Sequence, residues 1–425
     1  MQVRIEKLVY GGEGLGHHEG STVFVPFVLP GELVRVRAVE RKKKFIRGQA
    51  LEIIEPAAGR TTPPCPHFTA CGGCHYQHMP YEEQLRTKAE ILRETLRRLG
   101  RLEWPGDIQT HASPPLGYRN RAQWKVRPLS PPDGAAHPGI GYFRAGSNAL
   151  CAVDECPVLS PKLAAVLRAL QQLAARGELP ATLREVEAFA DASDTQVLLN
   201  ASQVSFDGSP AAFAERLRAA IPGTETILLH ESSRDRYELF GPGHITYAVA
   251  GGAYRVGHMS FFQVNRFLIE EMVRAVTADA SGGHALDLYA GVGLFGLPLA
   301  HRFERVTAVE SNPAAARDLV ENLKVREGAA QAVGADVEQF LRGVNEAPDL
   351  VVLDPPRAGV EAAVLDRLIA LVPPRITYVS CDPSTLARDL NRLTGAGYQI
   401  AELHLFDVFP QTFHIESLVQ LVRTK

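Results

Sequence analysis

The sequence predicts a multidomain protein: a small β-domain in front, a mixed α/β middle region, and a doubly wound α/β unit with a parallel sheet at the carboxyl end. Three observations carry this. At 425 residues the chain exceeds one ordinary core, since domains run to roughly 100–200 residues. Beyond about residue 255, short apolar runs at 285–289, 306–309, 331–333, 350–353 and 376–379 alternate with stretches long enough for helices, the pattern of a parallel sheet. Before residue 57 the period is two instead of helical.

The front segment alternates at Val23 and Val25, then at Val34, Val36 and Ala38, with glycine-rich turns expected at Gly11-Gly12, Gly14, Gly16 and Gly31. Its second half is basic. Positions 35–47 hold Arg35, Arg37, Arg41, Lys42, Lys43, Lys44 and Arg47 against Glu40 alone. Such a run, interleaved with Phe45, suits phosphate contact; a solvated basic hairpin is the plain alternative. The net charge of −3 excludes neither, because nucleic-acid binding depends on where charge sits.

Pro56 and Arg60-Thr-Thr-Pro-Pro mark a linker. A helix is expected over 81–100, with Leu85, Ala89, Leu92, Leu96 and Leu99 at helical spacing. The middle region shows a helix over 161–176 and a strand at 196–199. The resulting units are 1–57, 58–252 and 253–425. The amino terminus, MQVRIEKLVYGGEG, has no apolar core of the kind a signal peptide needs. The weakly charged stretch 285–300 is shorter than the ~20 residues of a spanning helix. A cytoplasmic protein without a membrane partner is expected, monomeric by default.

Cysteine usage points the same way. Cys65, Cys71, Cys74, Cys151, Cys156 and Cys381 in a long chain without a leader suggest ligation or catalysis rather than disulfides. Three closely spaced thiols with a remote fourth suit either structural zinc or a 4Fe–4S cluster.

In a doubly wound sheet, ligands bind at the carboxyl ends of the strands. After the first run stands Asp287-Leu-Tyr-Ala-Gly-Val-Gly-Leu-Phe-Gly, whose glycines permit a tight turn and close approach to a ligand. Glu310 ends the second run, where a carboxylate suits ribose hydroxyls; a nicotinamide-dependent dehydrogenase remains open at this point. Asp354-Pro-Pro-Arg357 ends the fourth. In the fifth, Val379-Ser-Cys381-Asp-Pro places a thiol where it could attack an electrophile, although a lone strand cysteine is more often core filler. Pro410-Gln-Thr-Phe-His-Ile-Glu416 adds a carboxylate just before the last apolar run. Phe261 and Phe262 could offer a stacking face, and Arg119, Arg121, Lys125 and Arg127 form a second basic stretch.

Taken jointly, Gln263-Val-Asn265, Asp287-Leu-Tyr-Ala-Gly, Asp354-Pro-Pro-Arg, Ser380-Cys-Asp-Pro and His414-Ile-Glu416 resemble the RNA uracil-5 methyltransferases, across essentially the whole chain. The front segment, with Gly11-Gly-Glu-Gly-Leu-Gly-His, is similar to a TRAM domain, an OB-like RNA-binding barrel. The resemblance implies a Rossmann-like methyltransferase domain that uses S-adenosylmethionine, with Cys381 as nucleophile and Glu416 as the base that removes the C5 proton. Uracil C5 is too weak a nucleophile to take a methyl group directly; thiolate addition at C6 activates it, and a base must then release the adduct. Gln263, Tyr289, Glu310, Asp336 and Asp354 match positions lining the cofactor pocket. Cys65, Cys71, Cys74 and Cys156 match the ligands of a 4Fe–4S cluster, with Cys151 the poorer match.

Two departures stand out: Leu294 replaces an asparagine common in the glycine loop, and Asp336 stands where some relatives have asparagine. The TRAM-plus-cysteine arrangement resembles the branch acting on 23S rRNA. The alternatives are a transfer-RNA T-loop uridine methyltransferase and a non-catalytic RNA-binding iron–sulfur scaffold, which would be expected to have lost Cys381 or Glu416.

Overall fold

A computed structural model describes residues 1–129, 137–277, 280–326 and 328–424. The first five strands, β1 (Gln2–Leu8), β2 (Glu13–His18), β3 (Ser21–Pro26), β4 (Leu33–Arg41) and β5 (Phe45–Glu55), close into a barrel in the order β1-β2-β3-β5-β4. Its core is the alternating apolar set, including Val3, Ile5, Val23, Val25, Val34 and Val36. One sequence expectation changes here. Gly14 and Gly16 are not turn residues; both lie within β2. A Cβ on Gly14 would come within 2.5 Å of Val28, and one on Gly16 within 2.2 Å of the Arg4 carbonyl oxygen. These glycines serve close strand approach inside a small barrel.

After the linker, α1 (Tyr81–Gly100) and β6 (Gln109–His111) follow. The helix was expected to bury the leucine stripe ending at Leu99, yet Leu99 is 59% exposed, and the buried face instead carries Gln84, Lys88, Ile91, Leu92 and Leu96. The polar pair is buried because its hydrogen-bond partners come from the far end of the chain.

The middle region forms a seven-stranded sheet from β7 (Arg121–Leu129), β8 (His137–Phe143), β9 (Leu150–Ala152), β10 (Leu183–Ala190), β11 (Val197–Gln203), β12 (Thr224–Glu231) and β13 (Arg236–Phe240), in the order β13-β12-β11-β10-β7-β8-β9. The helices α2 (Pro161–Ala175) and α3 (Pro210–Ala220) share its apolar core. Each starts with a serine whose hydroxyl caps a backbone N–H and a proline in the first turn. A hairpin, β14 (His244–Val249) and β15 (Gly252–Gly257), leads on to the last unit.

There, α4 (Ile269–Thr277), β16 (Gly282–Leu288), α5 (Gly296–Leu299), β17 (Phe303–Glu310), α6 (Pro313–Leu323), β18 (Ala330–Gly334), α7 (Val337–Arg342), β19 (Leu350–Leu353), α8 (Ala362–Leu371), β20 (Arg375–Ser380), α9 (Pro383–Gly395), β21 (Tyr398–Phe406) and β22 (Glu416–Arg423) build an eight-stranded sheet. Its order is β18-β17-β16-β19-β20-β22-β21-β6. The five strands at the predicted apolar runs pair in parallel, whereas β22 runs antiparallel between β20 and β21.

Successive residues of each strand enter opposite cores. Leu350 and Val352 face the cluster containing α4, α5 and α6, while Val351 and Leu353 face the one containing α1, α8 and α9. Both faces are therefore covered, and the strands read as continuous apolar runs. Although α1 and β6 lie within 58–252 of the chain, they pack with this sheet: β6 pairs with β21, and Leu92 and Leu96 join its core.

Candidate active site

The strand order turns back on itself between β16 and β19, which leaves a crevice at their carboxyl ends. Chain direction delivers the motif residues there. The chain leaves β16 through Tyr289, held at φ 63°, and then through Gly291 and Gly293 at φ 56° and 90°. A left-handed backbone is unusual for a tyrosine and marks the turn as constrained by its surroundings. Tyr289 is half-buried, and burial and nearby carboxylates, Asp336 among them, raise its phenol pKa.

Glu310 ends β17, and its carboxylate accepts hydrogen bonds from the Gly291 N–H at 2.9 Å and the Asn312 N–H at 2.6 Å, which tie the second strand to the glycine loop. Asp336 is exposed and caps α7, accepting from the Gln339 N–H at 3.1 Å; the cap alone accounts for a carboxylate at this place.

Asp287 is fully buried on β16. A Cβ on Gly296 would lie 2.9 Å from its carboxyl oxygen, so the glycine makes room for the acid. Neither carboxyl oxygen has a hydrogen-bond partner among the described residues. Burial first, then Asp354, pushes Asp287 up to about 8. Asp354, one residue past β19, is pushed up to about 7 by burial and by Glu310. Carboxyls crowded in low dielectric hold protons against one another. A cationic group would be favoured among them, and this donor set fits a sulfonium cofactor.

Cys381 follows the last residue of β20. The final register pair between β20 and β22 is Ser380 with Ser417; Cys381 directly follows β20 and Glu416 opens β22, so the two residues lie near the same end of this strand pair. Burial, then Glu416, then Asp354 push the Cys381 thiol up to about 12, with the Arg357 guanidinium opposing. Glu416 is 4% exposed, and burial and Asp354 hold it well above the usual carboxylate range, again opposed by Arg357. Arg357 lies 3.4 Å from His414 Nδ1. It is the cation that opposes the rise of both groups, and in the sequence it stands only as the last residue of the Asp354-Pro-Pro-Arg element.

The loop before Glu416 is fixed from outside the sheet. Lys88 donates to Asp407 at 2.6 Å and to the Phe409 carbonyl at 3.0 Å. Gln84 exchanges two hydrogen bonds with Gln411, and the Tyr118 hydroxyl donates to the Pro410 carbonyl at 3.1 Å. Asn265 donates to the Val408 carbonyl at 3.1 Å. From the barrel, the Tyr10 hydroxyl reaches Asp382 Oδ2 at 3.2 Å. No sequence signal singles out this tyrosine.

Other motif residues divide. Gln263 is buried between β15 and α4, with its carbonyl held by the Asn120 side chain; among the described residues no hydrogen bond joins it to the carboxylates. Leu294, which stands in place of the asparagine, is buried in the apolar core. Phe262 is buried, whereas Phe261 is 63% exposed, so the pair does not form one stacking face. Two of the four cations of the second basic stretch are paired within their own sheet, Arg121 with Glu187 at 2.6 Å and Lys125 with Glu185, while Arg119 and Arg127 donate to backbone carbonyls. The seven cations at 35–47 are all exposed.

Cys65, Cys71, Cys74 and Cys156 come from two segments, and each thiol is raised chiefly by burial; other cysteines of the four add to this at Cys71, Cys74 and Cys156, whereas Glu155 and Cys151 add to it at Cys65. Cys74 is pushed up to about 12, and the Tyr142 hydroxyl lies 3.9 Å from Cys156 Sγ. Cys151 is buried in the middle core. Among the described residues no group of three or more His, Cys, Asp or Glu side chains stands in metal-holding geometry, although the soft donor set itself suits iron–sulfur or zinc.

A glycine-looped switch point, a buried carboxylate cluster and a strand-end thiol near a carboxylate are the site of a methyltransferase fold. Comparison with known proteins makes this specific. The tRNA (Uracil-5-)-methyltransferase family model matches residues 80–424 and the TRAM domain model residues 1–51. A 23S rRNA (uracil(1939)-C(5))-methyltransferase, RlmD, of Halomonas elongata is 36% identical over 98% of this chain and 88% of its own. An uncharacterized RNA methyltransferase of Thermosynechococcus vestitus is 33% identical over 99% and 97%. The crystal structure of the Pyrococcus abyssi tRNA (uracil-54, C5)-methyltransferase in complex with S-adenosyl-L-homocysteine matches 99% of this chain and 100% of its own at 27% identity, with a TM-score of 0.77.

The chain belongs to the RNA uracil-5 methyltransferase family. It is an S-adenosylmethionine-dependent RNA (uracil-5-)-methyltransferase with an amino-terminal TRAM barrel. Among the described residues no helix is long and apolar enough to cross a membrane.

Proposed function

We propose that the enzyme methylates carbon 5 of a uridine in 23S rRNA through a covalent adduct on Cys381. The observation that carries the mechanism is that Cys381, directly after β20, and Glu416, the first residue of β22, lie close enough for Glu416 to raise the thiol, with Asp354 and Arg357 acting on both. Cys381 Sγ adds to C6 of the uracil, which makes C5 nucleophilic. After C5 has taken the methyl group, Glu416 as a carboxylate takes the C5 proton, the electron pair of the broken C5–H bond re-forms the C5=C6 double bond, and the Cys381 thiolate leaves. Bound S-adenosylmethionine supplies the methyl group. Asp287, Glu310 and Asp354 would offer it negative charge and ribose contacts, and Asp336, Tyr289 and Gln263 are the further residues that would hold it.

Burial favours the neutral forms of both the thiol and Glu416. Arg357, the opposing cation, favours ionisation of each and is the residue suited to stabilise the thiolate once substrate is seated. The target carbon is unreachable within a stack, so the uridine is taken from a loop.

The 23S assignment rests on the Halomonas relative, which spans nearly the whole chain at higher identity than the Pyrococcus tRNA enzyme. Cys65, Cys71, Cys74 and Cys156 would hold a 4Fe–4S cluster with a purely structural role, fastening 65–74 to 156; no step of the transfer requires an electron.

Transfer of labelled methyl to unmodified 23S rRNA and to unmodified tRNA, with the product nucleoside identified, tests both levels. Label as 5-methyluridine in rRNA, lost in Cys381→Ala, is expected. Label only in tRNA overturns the substrate. Full activity of Cys381→Ala overturns the mechanism.

A further inference from the structure

The barrel of this enzyme is not held at arm's length. Leu8 and Leu29 are buried in the apolar cluster of the catalytic sheet rather than in the barrel's own core, and Tyr10 packs beside them. The turn between β1 and β2 presses on the loop leading to Glu416. A Cβ on Gly12, at φ 83°, would lie 3.2 Å from both His75 and Phe413, and the Tyr10 ring stands edge-on to Phe413 at 5.6 Å and 88°.

From that seat the Tyr10 hydroxyl donates to Asp382 Oδ2 at 3.2 Å. The other oxygen of Asp382 accepts from the Ser384 and Thr385 N–H groups at 2.8 and 3.0 Å, capping α9. Ser380 closes the same turn. Its hydroxyl oxygen accepts from the Asp382 N–H at 3.3 Å and lies 3.1 Å from the Asp382 carbonyl. Cys381 is the residue enclosed. With both oxygens of Asp382 engaged, one by its helix and one by the barrel, the turn that presents the thiol is held at two ends.

We propose that Tyr10 is a positioning residue of the active site: its hydroxyl holds Asp382, and through Asp382 the turn that presents Cys381. The barrel thereby serves the chemical step as well as RNA contact. Burial and Asp382 raise the Tyr10 pKa, so the hydroxyl keeps its proton and remains a donor across the working range of pH. The inference rests on the reading of Cys381 as nucleophile.

Tyr10→Phe keeps the ring on Phe413 and removes only the donor. It is expected to lower kcat about tenfold, the size of one hydrogen bond to a charged group, with KM for RNA unchanged. The rate of Cys381 alkylation by iodoacetamide, followed on its peptide by mass spectrometry without RNA, should change as well. Asp382→Ser retains a helix cap but falls short of Tyr10; combined with Tyr10→Phe it should cost no more than Asp382→Ser alone. A raised KM with unchanged kcat would make Tyr10 an RNA contact and overturn the proposal, as would unchanged kcat and alkylation. Altered alkylation in an enzyme whose wild type does not methylate uridine would uphold the positioning and sink the proposed function instead.

Discussion

Lys88 and Asp407, both wholly buried, form an ion pair of 2.6 Å that joins the middle of α1 to the first residue after β21. It fastens the loop that delivers Glu416. Removing one partner strands a charge in low dielectric, whereas removing both does not. Lys88→Met should therefore destabilise the protein by about 3–5 kcal/mol, and adding Asp407→Leu should recover much of that loss. Chemical denaturation of the two variants checks it; equal losses would contradict the account.

Glu416→Gln keeps the shape of the side chain but cannot take a proton. Addition of Cys381 and methyl transfer should proceed while release fails, so turnover falls by about 10²–10⁴-fold. A protein–RNA species resistant to denaturing electrophoresis should build up. Its absence, with turnover lost, would place Glu416 before the transfer.

Asp287 and Asp354, at about 8 and about 7, have folded values raised above the ordinary ~3.9 of the unfolded chain. Stability from these groups is full below that value and is lost as pH rises through 7 to 8. A bound cation should reverse the loss. The denaturation midpoint of the ligand-free enzyme is expected to fall from about pH 4 upward and to level off above about pH 8, and S-adenosylmethionine should bind more tightly at the higher pH with release of protons. Calorimetry in buffers of different ionisation enthalpy measures this, with S-adenosylhomocysteine as the uncharged-sulfur control. Proton uptake would refute the sign.

Cys74 is the most deeply raised of the four thiols for which a value is resolved. Enzyme purified without air should contain iron and acid-labile sulfide, and Cys74→Ser should lose both along with thermal stability. Zinc in their place would correct the cluster's identity and leave the ligand set standing.

Lys43 and Lys44 are exposed at the tip of the basic hairpin and, among the described residues, have no ion-pair partner. Replacing both by alanine should raise KM for RNA and leave kcat unchanged. The slope of log affinity against log salt should fall by about 1.4, at about 0.7 per phosphate contact on single strands. An unchanged slope would remove this hairpin from the RNA path.

The sequence by itself determined the local things: the five parallel strands, because strands buried on both faces read as apolar runs; the small β-domain in front, because half-buried strands alternate; and the family, because its motifs are carried by residue type at fixed places along the chain. It did not reveal which polar residues are buried. Gln84 and Lys88 stand off the leucine stripe of α1 and are buried because Asp407 and Gln411, some 300 residues further along the chain, pair with them, whereas Leu99 stands on the stripe and is exposed. Asp287 reads as an ordinary strand-end acid until the sheet closes around it. Tyr10 carries no signal at all until the barrel docks on the Asp382 turn. Burial of a charge, and the pKa it acquires, depends on what the rest of the chain packs against it. That was decided only by the tertiary structure.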